Sequence, residues 1–182
     1  TKGTTPTTLG KAFVDSGINF VKAESLSGNG KFVVQKFAHI DHNTHELLSR
    51  SQLNVDDVLF TIAGTIGRTA IVSEDILPAN TNQAVAILKP IKSLIFPNYL
   101  KYALQSDVMQ DVMSVKIVHA VQPNLSLGEI SSAEILLPPL SEQEQIVEVL
   151  NSLDNKIDLL HRQNKTLEEL AETLFRQWFV EE

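Results

Sequence analysis

The segment LPPLSEQEQIVEVL, Leu137–Leu150, separates two different kinds of sequence. Pro138 and Pro139 disfavour helix in the residues before them and do not fit a helix interior. Ser141 then occupies an N-cap position, and Glu144 follows three residues later, which is the spacing of a capping box. The segment therefore predicts that a compact domain ends at residue 140 and that a helix begins at residue 141.

This predicted helix, residues 141–182, carries apolar side chains at alternating steps of four and three. A 3.5-residue period of this kind is typical of a coiled-coil seam. At 1.5 Å per residue the helix would be roughly 60 Å long, so much of the seam would extend beyond a small domain. We therefore expect it to pack against a partner helix, although an amphipathic helix lying on its own domain is the alternative. The seam consists of Ile146, Leu150, Leu153, Ile157, Leu160, Asn164, Leu167, Ala171, Leu174 and Trp178.

Asn164 is the polar member of this seam and lies near its middle. A single Asn at a seam position lowers stability but specifies register and partner number. Its central position would let it meet its own copy across a two-fold axis. Further apolar residues (Val147, Val149, Leu170 and Phe175) widen the face, which indicates that more than one surface packs on this helix.

The composition of the 182 residues, 43% hydrophobic and 20% charged, allows one folded domain with an appendage. The chain has no cysteine, which excludes disulfides and thiolate metal sites and fits a cytoplasmic location. No apolar run approaches the roughly 20 residues of a membrane span. Residues 1–140 contain 11 basic and 12 acidic residues, and residues 141–182 contain 4 and 10. The net charge of −7 therefore belongs mostly to the helix, and a nearly neutral domain remains compatible with nucleic-acid binding.

The region before Pro138 favours an α+β domain in which strands outnumber helices and regular βαβ alternation is missing. The segment NYLKYALQSDVMQDVM, residues 98–113, has helical periodicity. Runs rich in apolar and β-branched residues predict strands. The strand segments are INFVKAESL (18–26), KFVVQKF (31–37), DVLFTIAG (57–64), RTAIVSE (68–74), QAVAILKP (83–90) and AEILLPP (133–139).

Four polar segments are candidates for function, and each has a structural alternative. In AGTIGRTAI (63–71) two glycines permit a close backbone approach, and Arg68 is suited to a phosphate or a guanine edge. A plain hairpin turn is the alternative. It is not a phosphate-binding P-loop, since the Gly-Lys-Ser/Thr ending is missing. In PANTNQAV (78–85) the amides of Asn80, Asn82 and Gln83 could pair with adenine or cap a loop.

The third segment, HIDHNTHELL (39–48), contains three histidines at intervals of three. This spacing on a short segment is a weak zinc signal, and solvated or phosphate-facing histidines are the favoured interpretation. The fourth, SVKIVHAVQPNLS (114–126), places Lys116, His119, Gln122 and Asn124 among apolar residues, with an ordinary loop as the alternative. No nucleophile–base pair, carboxylate pair or cofactor fingerprint is evident, so we expect no catalytic residue and no metal site.

These segments together resemble a known family. GTTP, DDVLFTIAGTIGRTAIV, NTNQAVAIL, QPNLSLGEISSAEILLPPLSEQEQIVEVLNSLDNKID and LFRQWFV are similar to the specificity subunit of type I restriction–modification systems. The resemblance covers nearly the whole chain as one target-recognition domain, 1–140, and one conserved helix, 141–182. It implies a non-catalytic, DNA-binding subunit in which each recognition domain recognises half of a split site and the conserved helices pair antiparallel.

The resemblance also implies the partners and cofactors. Modification subunits, which methylate adenine after flipping it from the duplex, would dock on the helices, and restriction subunits would join the assembly. This chain would bind no cofactor itself. S-adenosylmethionine, ATP and Mg²⁺ would be bound by the partner subunits.

The chain departs from full-length members, which carry two recognition domains and two helices. It is either a half-length subunit that dimerises or half of a longer chain. The seam and Asn164 favour self-pairing, so we predict an antiparallel homodimer that recognises a palindromic split site. The competing interpretation is a coiled-coil scaffold without sequence-specific DNA binding.

DNA contacts can be assigned on the same basis. Phosphate contacts are expected from lysines, which set affinity without reading sequence. The lysines are Lys22, Lys31, Lys36 and Lys116. Base contacts are expected from side chains that can bind base edges. These are Arg68, Asn80, Asn82, Gln83, His119 and Gln122.

Overall fold

The computed structural model describes residues 1–107, 109 and 124–180. The chain divides into two compact units, Thr1–Glu144 and Gln145–Glu182, which are described separately below. Unit 1 contains all the strands found among the described residues. Among all the described residues, no helix is long and apolar enough to cross a membrane.

Among the described residues of unit 1, six short strands and three short helices have defined bounds. The strands are β1 (Ile18–Val21), β2 (Ala38–Ile40), β3 (Val58–Thr61), β4 (Thr69–Ile71), β5 (Ala79–Thr81) and β6 (Val85–Leu88). The helices are α1 (His42–Leu47), α2 (Pro97–Gln105) and α3 (Leu127–Ser131), and the long helix α4 (Leu140–Phe179) follows. Single 3-10 turns lie at Pro6–Leu9, Ala23–Ser25, Val34–Lys36, Ser49–Ser51 and Glu74–Ile76.

The strands form two three-stranded sheets, and the mixed α+β class predicted from the sequence is confirmed. In the first sheet the order is β2-β1-β5, with β1 antiparallel to β2 and parallel to β5. In the second sheet the order is β4-β3-β6, and both pairings are antiparallel. Consecutive strands β5 and β6 belong to different sheets, so the chain crosses between the sheets at residues 82–84.

The second sheet is buried on both faces, and β3 shows why. Alternate side chains of a strand point to opposite faces. Leu59 belongs to a core cluster that also contains Val21 of the first sheet, whereas Val58 and Phe60 join a cluster with Leu100 of α2. Val58, Leu59 and Phe60 of β3 can therefore all be apolar, and one face of the second sheet lies against α2.

The predicted strand at residues 31–37 is wrong. Val34–Lys36 form a 3-10 turn, and Phe32 makes only an isolated bridge to Leu26. Backbone groups of this segment form hydrogen bonds with Ser25 and not with a neighbouring strand. Val33 N donates to the Ser25 carbonyl at 2.8 Å, and Ser25 Oγ donates to the Lys36 carbonyl at 3.1 Å.

The predicted strand at residues 133–139 is also wrong, because this segment has no strand partner among the described residues. Ala133 and Ile135 pack against the cluster around Phe60, while Leu136 is 86% exposed. The alternating pattern therefore reflects packing on a core and not membership of a sheet. The predicted helix at residues 98–113 is interrupted in its described part: α2 ends at Gln105, Ser106 is extended, and Asp107 and Met109 are again helical.

Helix α4 begins at Leu140, one residue before the predicted start. The Pro139 carbonyl accepts the first backbone hydrogen bonds, from Glu142 N at 2.9 Å and Gln143 N at 3.0 Å. Ser141 therefore lies inside the first turn and cannot serve as the N-cap. The predicted capping box at Ser141 is wrong, although the position of the helix was identified correctly.

Candidate nucleic-acid interface

The turn between β3 and β4 is braced by the buried Thr61 side chain. Thr61 Oγ1 accepts a hydrogen bond from Arg68 N at 2.9 Å and donates to the Thr65 carbonyl at 2.5 Å. Gly64 and Gly67 have φ angles of 75° and 91°, which glycine adopts without strain. A Cβ at Gly64 would meet no described atom within 4 Å, so the tip of the turn is accessible to a ligand.

The turn between β5 and β6 lies beside it at the same end of the second sheet. Ile62 N donates to the Ala84 carbonyl at 2.8 Å, directly beyond the register pair Thr61 and Val85. We call this end of the sheet, formed by residues 62–68 and 82–84, the turn end. The structure therefore brings Arg68, Asn82 and Gln83 to one edge, although they are separated in sequence.

Two further segments reach the turn end. Leu125 N donates to the Ile62 carbonyl at 2.9 Å, which places the chain after residue 123 beside the glycine turn. The hydroxyl of Thr5, near the start of the chain, is hydrogen-bonded to Gln83 Oε1. The predicted DNA contacts Lys116, His119 and Gln122 lie outside the described residues.

Arg68 is half-buried, and its guanidinium is held by the backbone. Nη1 donates to the Leu26 carbonyl at 2.7 Å, which ties β4 to the neighbouring turn at residues 27–31. A guanidinium carries five N–H donors, so a single bond of this kind still permits contact with a base or a phosphate. The prediction that Arg68 contacts DNA stays open, with its side chain held at a defined position.

The turn at residues 27–31 carries the candidate Lys31 and lies against α2. A Cβ at Gly30 would be 3.6 Å from both Lys101 Nζ and Gln105 Nε2. Gln105 Nε2 also donates to Thr69 Oγ1 at 2.8 Å, next to Arg68 in the sequence. Sequence reasoning missed Lys101 and Gln105, because a helical period shows which residues face a core but not which loop they meet.

Asn80 is not a base-contacting residue, and this prediction is corrected. Its side chain is fully buried, and Nδ2 donates to the Leu48 carbonyl and to Ser51 Oγ, both at 3.0 Å. Its Oδ1 is hydrogen-bonded to His45 Nδ1. A buried amide must satisfy its polar atoms inside the protein, so Asn80 holds the region after α1 against β5.

The other two amides remain at the surface. Asn82 Oδ1 accepts a hydrogen bond from Ala84 N at 3.2 Å, which caps the crossing between the sheets. The Asn82 side chain is half-buried and that of Gln83 is exposed. Asn82 therefore caps the loop, and Gln83 remains a candidate for a base contact because it is accessible from solution.

Lys22 and Lys36 are neighbours, because both flank Ser25. Lys22 N donates to Ser25 Oγ at 3.3 Å, and that hydroxyl bonds to the Lys36 carbonyl. Lys22 Nζ also lies 2.8 Å from Glu24 Oε1. Burial acts to raise the pKa of Glu24, but the hydrogen bond and charge of Lys22, with the charge of Lys36, lower it below its ordinary value. Glu24 thus partly neutralises these two predicted phosphate contacts.

The histidine segment has a structural explanation. Asp41 is the N-cap of α1: its carboxylate accepts hydrogen bonds from Thr44 N and Thr44 Oγ1, both at 2.9 Å. These bonds hold the pKa of Asp41 below its ordinary value. His45 contacts Asn80, as described above. Across residues 1–107, 109 and 124–180, no group of three or more His, Asp or Glu side chains is arranged to hold a metal ion.

Unit 2 is a single helix without a buried side chain in its described part, residues 145–180. The predicted seam is largely exposed: Leu153 is 55% accessible, Ile157 50% and Trp178 69%. Exposed apolar rows of this length are typical of interaction surfaces. Outside the seam, the Phe175 and Phe179 rings stack 5.3 Å apart and add a second apolar strip.

Comparisons with known proteins identify the family of the chain. The family model for the type I restriction modification DNA specificity domain matches residues 2–169, and the chain belongs to this family. The chain is 29% identical over 150 residues to the EcoBI specificity subunit of Escherichia coli, with 82% of this chain and 31% of that protein covered. It is 25% identical over 158 residues to the HindI specificity subunit of Haemophilus influenzae, with 84% and 34% covered. These relatives are named specificity subunits, in agreement with the prediction of a non-catalytic subunit.

The fold is shared with solved structures of the same kind. The HsdS subunit from Thermoanaerobacter tengcongensis superposes with a TM-score of 0.67 at 18% identity, covering 97% of this chain and 44% of that one. A chain from a structural study of type I R-M complex assembly gives a TM-score of 0.69 at 19% identity, covering 100% and 46%. The chain thus spans about a third of the length of the curated relatives named above, and less than half of these two solved chains.

Proposed function

We propose that the chain recognises one half of a bipartite DNA site through the turn end of unit 1. The family membership supports this function, and the hydrogen bond between Ile62 N and the Ala84 carbonyl is the observation that carries the location. This bond joins two turns side by side at one end of the second sheet. Side chains on such turns can be held in a defined geometry while remaining accessible to base edges.

Within this proposal, Arg68, Asn82 and Gln83 contact bases, as do His119 and Gln122. The lysines Lys22, Lys31, Lys36 and Lys116 contact phosphates. Each good bidentate base contact discriminates by about 1–3 kcal/mol. Phosphate contacts instead raise affinity for all sequences and make it dependent on salt.

Helix α4 provides the spacing and the partner surface in this proposal. Its exposed seam pairs antiparallel with a second α4, either in a second copy or in the other half of a longer chain. Modification subunits, which bind S-adenosylmethionine, dock on the paired helices, and restriction subunits, which use ATP and Mg²⁺, join them in the cytoplasm. The seam supports this role, since pairing would bury several Leu and Ile side chains worth about 1.5–3 kcal/mol each.

Binding and methylation of duplex DNA distinguish this function from that of a coiled-coil scaffold. The protein, with its modification subunit added, should methylate adenines at one bipartite sequence and shift a duplex containing that sequence in a native gel. A duplex with both half-sites scrambled is the control. Equal shifts of both duplexes, with no methylated motif in genomic DNA, would favour a coiled-coil scaffold instead.

A further inference from the structure

Gln143 is the one fully buried side chain of α4 among its described residues. It lies in the first turn of the helix, in the part that belongs to unit 1. A glutamine amide has two donors and one acceptor oxygen, and its complete burial is unfavourable unless these atoms are paired. The sequence patterns around the helix start pointed to Ser141 and not to Gln143.

The Gln143 amide joins the starts of two helices. Oε1 accepts a hydrogen bond from Phe96 N at 3.0 Å, and Phe96 is the residue before α2. Nε2 donates to the Leu94 carbonyl at 2.9 Å and to the Pro138 carbonyl at 2.8 Å. All three partners are backbone groups, so the bonds depend on where the chain runs and not on side-chain rotamers.

We propose that Gln143 is a positioning residue that fixes how α4 leaves unit 1 and thereby the DNA spacer length at which two half-sites are recognised. This inference rests on the function proposed above. One base-pair step moves a half-site by about 3.4 Å along the duplex and rotates it by about a tenth of a turn. Over a helix of roughly 60 Å, a tilt of about 4° at the first turn displaces the far end by about the same distance.

A tilt of this size at the first turn would therefore be enough to bring neighbouring spacer lengths into competition. The three backbone partners belong to the segment before α2 and the segment before α4, and both segments contribute a residue, Ile95 and Ile135, to the packing around the core cluster of unit 1. The amide cannot shift without breaking these bonds. Without this amide, the first turn of α4 would lose three directional bonds to the backbone of unit 1.

The experiment compares Gln143→Met and Gln143→Glu with Gln145→Met. Methionine matches the length of glutamine without its hydrogen bonds, glutamate retains the shape and one acceptor, and Gln145 is an exposed glutamine on the same helix. Each variant is made in the natural full-length protein and expressed with its modification subunit. Sequencing of genomic DNA then maps the methylated adenines and the spacer between half-sites.

The wild type and Gln145→Met should methylate sites with one spacer length. Gln143→Met should also methylate sites whose spacer is one base pair shorter or longer, with the preference for the correct spacer reduced about tenfold and the half-site bases unchanged. A single unchanged spacer in both Gln143 variants, with only lower activity, would overturn the proposal. If the wild type marks no bipartite site, the proposed function fails instead.

A distance measurement tests the positioning role without DNA. The chain has no cysteine, so Val34→Cys and Lys156→Cys, both at exposed positions, give one label in unit 1 and one on α4. The distribution of distances between two spin labels should be broader in Gln143→Met and in Gln143→Glu than in Gln145→Met. Equal widths in all proteins would contradict the proposal whatever the DNA result, and Gln143→Glu preserves the test if the Met variant does not fold.

Discussion

Arg68 Nη1 donates a hydrogen bond to the Leu26 carbonyl at 2.7 Å, and this bond links the glycine turn of the second sheet to the turn that carries Lys31. The side chain that we propose contacts DNA is thus also a support of the turn. The proposed contact and the observed bond can be tested separately, because a base contact affects one position of the DNA sequence and a backbone contact affects stability.

We predict that Arg68→Ala relaxes the recognised sequence at one base position and also lowers the free energy of unfolding by about 1 kcal/mol. Lys31→Ala should instead weaken binding to all sequences alike and reduce its dependence on salt. Methylation mapping and titration of duplex DNA at several salt concentrations measure both effects. Unchanged specificity in Arg68→Ala would reduce the glycine turn to a structural hairpin.

Asn80→Ala should destabilise the protein without altering the recognised bases. The substitution leaves the Leu48 carbonyl, Ser51 Oγ and His45 without their amide partner, which costs about 1–3 kcal/mol for a buried polar group. Urea unfolding followed by circular dichroism gives the change. Gln83→Ala, at an exposed position three residues later in the chain, serves as the control for stability and should lie within about 0.5 kcal/mol of the wild type. A changed methylation motif in Asn80→Ala at normal stability would contradict the structural role.

Leu160→Glu should weaken self-association, whereas Leu159→Glu should not. Both leucines are exposed neighbours on α4, but only Leu160 belongs to the seam. Loss of about 1.5 kcal/mol of burial from each of two helices raises the dissociation constant about 100-fold. Sedimentation equilibrium of the two variants measures this difference. Equal association of both would show that the seam is not the contact surface.

Asn164→Leu should strengthen helix pairing and reduce its uniqueness. A seam Asn prefers to meet another polar group, so its removal favours burial but no longer excludes other registers or partner numbers. Thermal unfolding should shift to higher temperature as sedimentation shows species beyond a dimer. A variant that stays strictly dimeric with an unchanged midpoint would mean that Asn164 lies outside the interface.

The contribution of Asp41 to stability should depend on pH. Its folded-state pKa lies below its ordinary value because the ionised carboxylate accepts two hydrogen bonds from Thr44. The stabilisation is therefore complete above the ordinary pKa of aspartate, about 3.9, and is lost as the pH falls further through the depressed value. Asp41→Asn keeps an N-cap but does not titrate, so its unfolding free energy should fall less steeply below about pH 4. If urea titrations show that the unfolding free energies of both proteins fall in parallel as the pH is lowered, this contribution is excluded.

Local patterns were sufficient for much of the fold. The two prolines before a run of apolar residues in steps of three and four predicted α4 to within one residue of its start. β-Branched runs located β3, β4 and β6, because side chains buried on both faces of a strand leave a continuous apolar signal. The same reasoning failed at residues 31–37 and 133–139, where apolar residues pack on the core but their backbone groups do not join a sheet.

The sequence alone determined the α+β class, the long helix with its apolar seam, and the resemblance to the specificity subunits, since these depend on local spacing and composition. Only the tertiary structure decided which polar residues share one place. It buried Asn80 among hydrogen-bond partners, brought the turns that carry Arg68 and Gln83 to one end of the second sheet, and buried Gln143 instead of capping the helix with Ser141. Hydrogen bonds between residues distant in sequence decide these outcomes, and a linear pattern of residue types does not contain their geometry.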